Sequence, residues 1–173
     1  MESFLNKLKD ITTFIFDVDG VLTDGSVFVA ENGEQSRAFN IKDGYAIQLA
    51  VKCGYQVCVI SGSRSKSAVY RLNSLGVTDV YMGTHTKTER LKVYLEEKAT
   101  HASNVLYMGD DIPDLGAMHL AGLPTCPADA VEEIKAASQY VSPYAGGKGC
   151  ARDVIEKVLK IQGKWMSEQA YSW

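Results

Sequence analysis

One phrase recurs along the chain: a short β-branched or aromatic run, an abrupt polar turn, then a segment of helical period. Thr12-Thr13-Phe14-Ile15-Phe16 runs into Asp17-Val18-Asp19-Gly20. Gln56-Val57-Cys58-Val59-Ile60 runs into Ser61-Gly62, and Val105-Leu106-Tyr107-Met108 into Gly109-Asp110-Asp111. Short apolar runs bounded by such turns read as fully buried strands. Helical stretches are expected over 43–52, 65–75, 87–99 and 115–121, three of them stopped by Gly54, Gly76 and Gly122. Short strands are expected over 79–82, 123–126 and 140–142, with helices over 130–137 and 151–161. Strands that alternate with helices of this length imply a parallel sheet with helices on both faces. The expected class is therefore α/β, a doubly wound parallel sheet.

One feature departs from the alternation. Glu31-Asn32-Gly33-Glu34 lies between Val27-Phe28-Val29 and Ser36-Arg37-Ala38-Phe39. Asn-Gly between two β-runs is a strong hairpin signal, so a hairpin is expected at about 25–40, either as a surface arm or as a contact element. A chain of 173 residues with 46% hydrophobic residues can bury one core unaided. No linker, repeat or low-complexity segment divides it. The expectation is a single domain over 1–163 and a tail over 164–173. That tail carries Trp165 and Trp173, which either pack on a neighbour or stay disordered.

Composition excludes several functions. A net charge of −3 gives no basic field with which to grip nucleic acid. A local basic site for a phosphorylated small molecule is still compatible with it. No apolar stretch approaches the roughly 20 residues that cross a bilayer, so no membrane partner is expected. Met1 to Lys7 lacks the basic and apolar regions of a signal peptide. Four cysteines without a CxxC pair read as reduced thiols of a cytoplasmic protein rather than as a zinc site.

In parallel sheets the ligand site lies beyond the carboxyl ends of the strands. At those ends stand Asp17 and Asp19, Ser61 and Gly62, then Asp110 and Asp111, with Asp114 close behind. Turn chemistry accounts for one Asp-Gly pair but poorly for three acidic clusters in register. Carboxylates brought together repel, and a hard divalent cation such as Mg²⁺ removes the repulsion. Ser61-Gly62-Ser63 before a helix suits either an N-cap or a bound anion. Lys87, early in a helix, is either solvated or placed to neutralise a phosphate and Asp17. A carboxylate such as Asp17 can attack phosphorus, and Asp19, two positions on, can act as general acid and base.

These residues carry a resemblance. Asp17-Val18-Asp19-Gly20-Val21-Leu22-Thr23-Asp24 resembles the DxDGxxTD signature of the haloacid dehalogenase superfamily phosphatases. Ser61, Lys87 and Gly109-Asp110-Asp111-Ile112-Pro113-Asp114 match its later motifs in order. The resemblance implies a Rossmann-like fold with Asp17 as nucleophile and Asp19 as acid/base. Mg²⁺ would be held by Asp17, Asp110 and the backbone carbonyl of Asp19, with Asp111 and Asp114 as supporting acids. Ser61, Gly62 and Lys87 would hold phosphate. The spacings between motifs leave no room for a cap domain.

A second set, Asn32-Gly33-Glu34, Ala38-Phe39-Asn40, Asp43-Gly44 and Gly146-Gly147-Lys148-Gly149-Cys150-Ala151-Arg152, resembles the 3-deoxy-D-manno-octulosonate 8-phosphate phosphatase family. It implies phosphate release in lipopolysaccharide sugar biosynthesis by a homotetramer whose hairpins meet centrally and whose neighbouring subunits replace the cap. Arg64, Lys148 and Arg152 become candidate substrate cations, although the glycine-rich stretch also reads as a plain turn. Ser63 stands where the family usually has Arg. A related clade acting on nine-carbon sugar acid 9-phosphates carries an acid there, and tends to carry one at the Lys148 position. The residues present favour the eight-carbon substrate. A receiver-type phosphoacceptor module is the alternative that is not an enzyme; it would carry its acceptor Asp after the third strand.

Overall fold

The computed structural model describes residues 4–172. In chain order the strands are β1 (Thr13–Phe16), β2 (Phe28–Val29), β3 (Gln35–Ser36), β4 (Gln56–Ile60), β5 (Asp79–Tyr81), β6 (Val105–Met108), β7 (Leu123–Cys126) and β8 (Tyr140–Val141). The α-helices are α1 (Phe4–Lys7), α2 (Ile41–Lys52), α3 (Lys66–Ser74), α4 (Lys87–Glu97), α5 (Leu115–Leu120), α6 (Glu132–Ala137) and α7 (Cys150–Ile161). Six strands form one sheet in the order β5-β4-β1-β6-β7-β8, every pairing parallel. β2 and β3 form a separate antiparallel hairpin.

The period of two along β1 divides the core. Phe14 and Phe16 pack on one face with Ile47 and Leu49 of α2, Leu72 of α3 and Val158 of α7. Ile15 packs on the other with Leu91 and Tyr94 of α4, Met118 of α5 and Ile134 of α6. Full burial of each such side chain contributes roughly 1.5–3 kcal/mol, so both faces hold the central strand rigidly. From β1 the chain steps outward through β4 to β5, then returns to β6 on the other side of β1. That reversal opens a crevice at the carboxyl ends of β4, β1 and β6, where ligands of such sheets bind.

Some element ends differ from the sequence expectation for local reasons. α2 begins at Ile41 rather than 43, because the Asn40 side chain accepts from the Lys42 and Asp43 N–H groups and caps the first turn. The tail is packed through residue 172. Tyr45 Oη donates to the Ala170 carbonyl at 2.6 Å, Trp165 meets Tyr45 edge-on, and Lys52 Nζ donates to the Ser172 carbonyl at 2.8 Å. Residues 164–172 thus pack against their own chain, a course beside the two considered for Trp165; Trp173, like Met1 to Ser3, lies outside the described residues. The receiver alternative fails on topology. β5, third in the main sheet by sequence, begins with Asp79 and runs out into Met82-Gly83, leaving no carboxylate at its carboxyl end. Among the described residues, no helix is long and apolar enough to cross a membrane.

Candidate active site

Asp17 follows β1 directly, and its N–H donates to the Met108 carbonyl of β6 at 3.1 Å. The chain then bends sharply. Thr23 ties the bend together: its hydroxyl donates to the Val18 carbonyl at 3.2 Å and accepts from the Gly20 and Gly25 N–H groups. Gly20 adopts φ +81°, and a Cβ there would lie 2.0 Å from Asp110 Oδ2. Only glycine admits both the left-handed backbone and the approach of Asp110 from the end of β6.

Lys87 is placed by the loop before it. The Gly83 N–H donates to the Ser63 carbonyl at 2.7 Å and the Thr84 N–H to the Ser61 carbonyl at 2.9 Å. These bonds fasten the loop after β5 to the turn after β4, so α4 starts with Lys87 directed inward. Its ammonium lies 2.9 Å from Asp17 Oδ2 and 2.8 Å from Asp114 Oδ1. The buried Tyr107 hydroxyl also donates to Asp114 Oδ1, at 2.7 Å. Ser61 is buried, and its hydroxyl accepts from the Ser63 N–H at 3.3 Å.

One oxygen each of Asp17, Asp110 and Asp114 lies within 4.8 Å of the others. Burial, reinforced by Asp114 and opposed by Lys87, pushes the Asp17 carboxyl up to about 6. Burial, then repulsion from Asp17 and Asp114, pushes Asp110 up to about 7. Burial pulls Lys87 down, but Asp17 and Asp114 outweigh it and the net shift is upward. One ammonium therefore faces three carboxylates. Asp17 Oδ1 and Asp114 Oδ2 are buried with no hydrogen-bond partner. Unpaired buried carboxylate oxygens are costly, and a hard cation that prefers oxygen relieves this arrangement. The residues present fit Mg²⁺.

Asp19 does not join this cluster. Its carboxylate lines the same cleft of about 360 Å³ but is held from the side by Arg37. Arg37 Nε donates to Oδ1 at 2.5 Å and Nη2 to Oδ2 at 3.1 Å.

Comparison with known proteins bears on this geometry. A family profile described as haloacid dehalogenase-like hydrolase matches residues 71–152. The 3-deoxy-D-manno-octulosonate 8-phosphate phosphatase KdsC of Escherichia coli K12 is 39% identical over 158 residues, covering 91% of this chain and 84% of that protein. The chain belongs to this phosphatase family, within the haloacid dehalogenase-like hydrolases. The crystal structure of the Yersinia pestis phosphatase superimposes with a TM-score of 0.92 at 33% identity, covering 94% of this chain and 88% of the other. The Moraxella catarrhalis phosphatase, solved with magnesium ion, phosphate ion and KDO, superimposes at 0.89 with 32% identity, covering 92% and 91%.

Within this family framework, the sequence-derived residues separate into two groups. Asp17, Asp19, Ser61, Gly62, Lys87, Asp110, Asp111 and Asp114 all line the cleft at the end of β1. Asp111 sits at its mouth, exposed, and caps the turn after β6 by accepting from the Ile112 N–H at 2.7 Å. Asp114 shares Lys87 with Asp17 and contributes an oxygen to the carboxylate cluster.

The other three lie outside that cleft. Arg64 lies beside Gly83 and lines a neighbouring cleft under the hairpin. Arg152 is turned away: its guanidinium pairs with Glu156 at 3.2 Å and stacks over Tyr45 and Trp165. Aromatic faces and an i,i+4 carboxylate on its own helix satisfy it there. Lys148 is exposed, 3.7 Å from Asp24, and shares a cleft with Arg152 on the flank of α7. Within this subunit Lys148 and Arg152 stand apart from the cleft that holds Asp17. Their glycine-rich loop has another role: a Cβ on Gly146 would lie 2.0 Å from the Gly20 carbonyl oxygen, so the loop braces the Asp17–Thr23 turn from behind. Arg37 escaped sequence reasoning. It follows the outer strand of a hairpin read as an arm, and no motif spacing marks it.

Proposed function

We propose that the chain is a Mg²⁺-dependent phosphomonoesterase that releases phosphate from 3-deoxy-D-manno-octulosonate 8-phosphate. The observation that carries this is the Asp17–Asp110–Asp114 cluster with its two orphaned oxygens, bridged by Lys87, in a chain of this family.

Asp17, Asp110 and Asp114, with the Asp19 carbonyl as a further candidate, would hold Mg²⁺. Bound there, the ion would offset charge on the phosphoryl oxygens and on the carboxylates. Asp17 attacks phosphorus; the bond from phosphorus to the sugar oxygen breaks, and Asp19 gives that oxygen a proton. Water then attacks the aspartyl-phosphate, Asp19 takes the water's proton, and the Asp17 carboxylate is restored. Lys87 holds Asp17 in place and adds positive charge where phosphoryl transfer needs it. Ser61 and the N–H groups of the turn after β4 bind the phosphate. The sugar acid lies toward Arg64, whose charge suits its carboxylate.

Two further parts of the reading concern setting. The hairpin exposes Phe28 and Val29, each 66% accessible, and such apolar area marks an interaction surface. This supports a homotetramer joined through the hairpins. All four cysteines are free, which fits the reducing cytoplasm.

The test is the catalytic efficiency of the purified protein with Mg²⁺ on eight- and nine-carbon keto-deoxy sugar acid phosphates. A clear preference for the eight-carbon ester is expected. Equal or higher efficiency on the nine-carbon ester would overturn the substrate, and turnover of neither would overturn the activity.

A further inference from the structure

Asp19 and Arg37 face each other across the boundary between two clefts. On one side is the cleft that holds Asp17, Ser61 and Lys87. On the other is a cleft of about 730 Å³ between the hairpin and the start of α3, lined by Arg37, Arg64 and Lys66 together with Glu34. Among the described residues, Arg64 and Lys66 have no ion-pair partner, and Arg37 has Asp19 alone. The Arg37 side chain is only 5% exposed, so its guanidinium is committed and largely dry.

This pairing has a mechanical consequence. A bidentate guanidinium–carboxylate pair fixes the plane and direction of the carboxylate. It engages both oxygens of Asp19, a carboxylate that lines the cleft but stands outside the Asp17–Asp110–Asp114 cluster. In that position neither oxygen can serve the bond being broken until the pair opens. The second cleft carries an excess of cations, so it attracts an anionic group on the organic part of a substrate. A carboxylate arriving there competes with Asp19 for the same guanidinium.

We propose that Arg37 is a positioning residue that parks Asp19 in the free enzyme, and that a carboxylate on the substrate, bound between Arg37, Arg64 and Lys66, draws Arg37 away and lets the Asp19 side chain turn toward the scissile bond. The inference rests on the phosphomonoesterase reading above and adds a source of selectivity: anionic sugar phosphates are favoured in kcat as well as in KM. A ligand that only binds lowers KM; one that also releases a catalytic group raises kcat.

The experiment measures kcat and KM for the keto-deoxy sugar acid phosphate and for its carboxyl methyl ester, which has the same leaving group and no carboxylate. Wild type, Arg37→Gln and Arg37→Lys are compared. In wild type, esterification is expected to lower kcat by about tenfold or more, within the range that general acid–base catalysis supplies. In Arg37→Gln the two kcat values converge while KM for the acid rises, and Arg37→Lys, which keeps the charge but not the two-pronged grip, restores the difference only in part. Equal kcat on both substrates in wild type would overturn the proposal, and this comparison stands even if the Gln variant fails to fold. An equal fall in kcat on both substrates in Arg37→Gln would also overturn it, as it would show only structural support for the site. Hydrolysis of neither substrate by wild type would remove the parent reading, and this inference with it.

Discussion

Lys87 carries the charge balance of the site: it is buried and bonded to Asp17 and Asp114, with Asp110 close by. Replacing Lys87 by Met would leave the buried Asp17 and Asp114 carboxylates without the one ammonium that pairs with them among the described residues. The expected loss is about 3 kcal/mol of stability in metal-free protein, read from the urea midpoint, together with loss of turnover. An unchanged midpoint would contradict this charge balance. The same carboxylates give a pH dependence. Asp17 and Asp110 titrate at about 6 and about 7 in the fold, against an ordinary value of 3.8. Between about pH 4 and 7 the folded state therefore holds more protons than the unfolded chain, and metal-free stability falls as pH rises through that window. Mg²⁺ must displace those protons, so the rise in Tm that it produces should be small near pH 5 and full near pH 8. A thermal shift that is the same at both would argue against these carboxylates as ligands.

At the scale of elements, the site depends on how turns and helix starts are fastened. Asp43 of α2 illustrates this: its carboxylate accepts from the Gly149 N–H at 3.1 Å and the Arg152 N–H at 2.8 Å, capping α7 from another helix. Asp43→Ala is expected to cost about 1–2 kcal/mol, seen as a lower urea midpoint; a change of a few tenths would leave the cap without importance. Gly146→Ala should act on the turn instead, lowering kcat through the displaced Gly20 carbonyl, and normal kcat in that variant would show that the loop does not brace the turn. Both contacts also show what a sequence makes legible. The acidic clusters, Ser61 and Lys87 stand at ends of strands whose apolar runs are unmistakable, and a parallel sheet must bring those ends together. Arg37, Arg152 and Lys148 depend on where a two-stranded hairpin and a loop fold back over the sheet. No periodicity encodes that, so Arg37 was missed and the contacts of Arg152 with Tyr45, Trp165 and Glu156 were not legible. The docking of the tail was not legible for a similar reason: Tyr45 and Trp165 are far apart in sequence and form their contact only once α2 and α7 lie side by side.

At the scale of the whole molecule, helices cover both faces of the sheet, while the hairpin stands apart with Phe28 and Val29 exposed. If the hairpins join subunits, the double variant Phe28→Asp/Val29→Asp should sediment as a monomer while retaining the wild-type far-ultraviolet circular dichroism. A wild-type protein that is itself monomeric, or a variant that remains a tetramer, would contradict the assembly. Within each subunit the two halves of the sheet meet at β1, and everything proposed for the chemistry converges on the residue at its end. The most direct measurement is to quench the enzyme during turnover, reduce any acyl phosphate with borohydride and locate the modified residue by peptide mass spectrometry. The account predicts homoserine at position 17, appearing only with substrate present. Reduction at another carboxylate, or none under conditions of steady turnover, would contradict it.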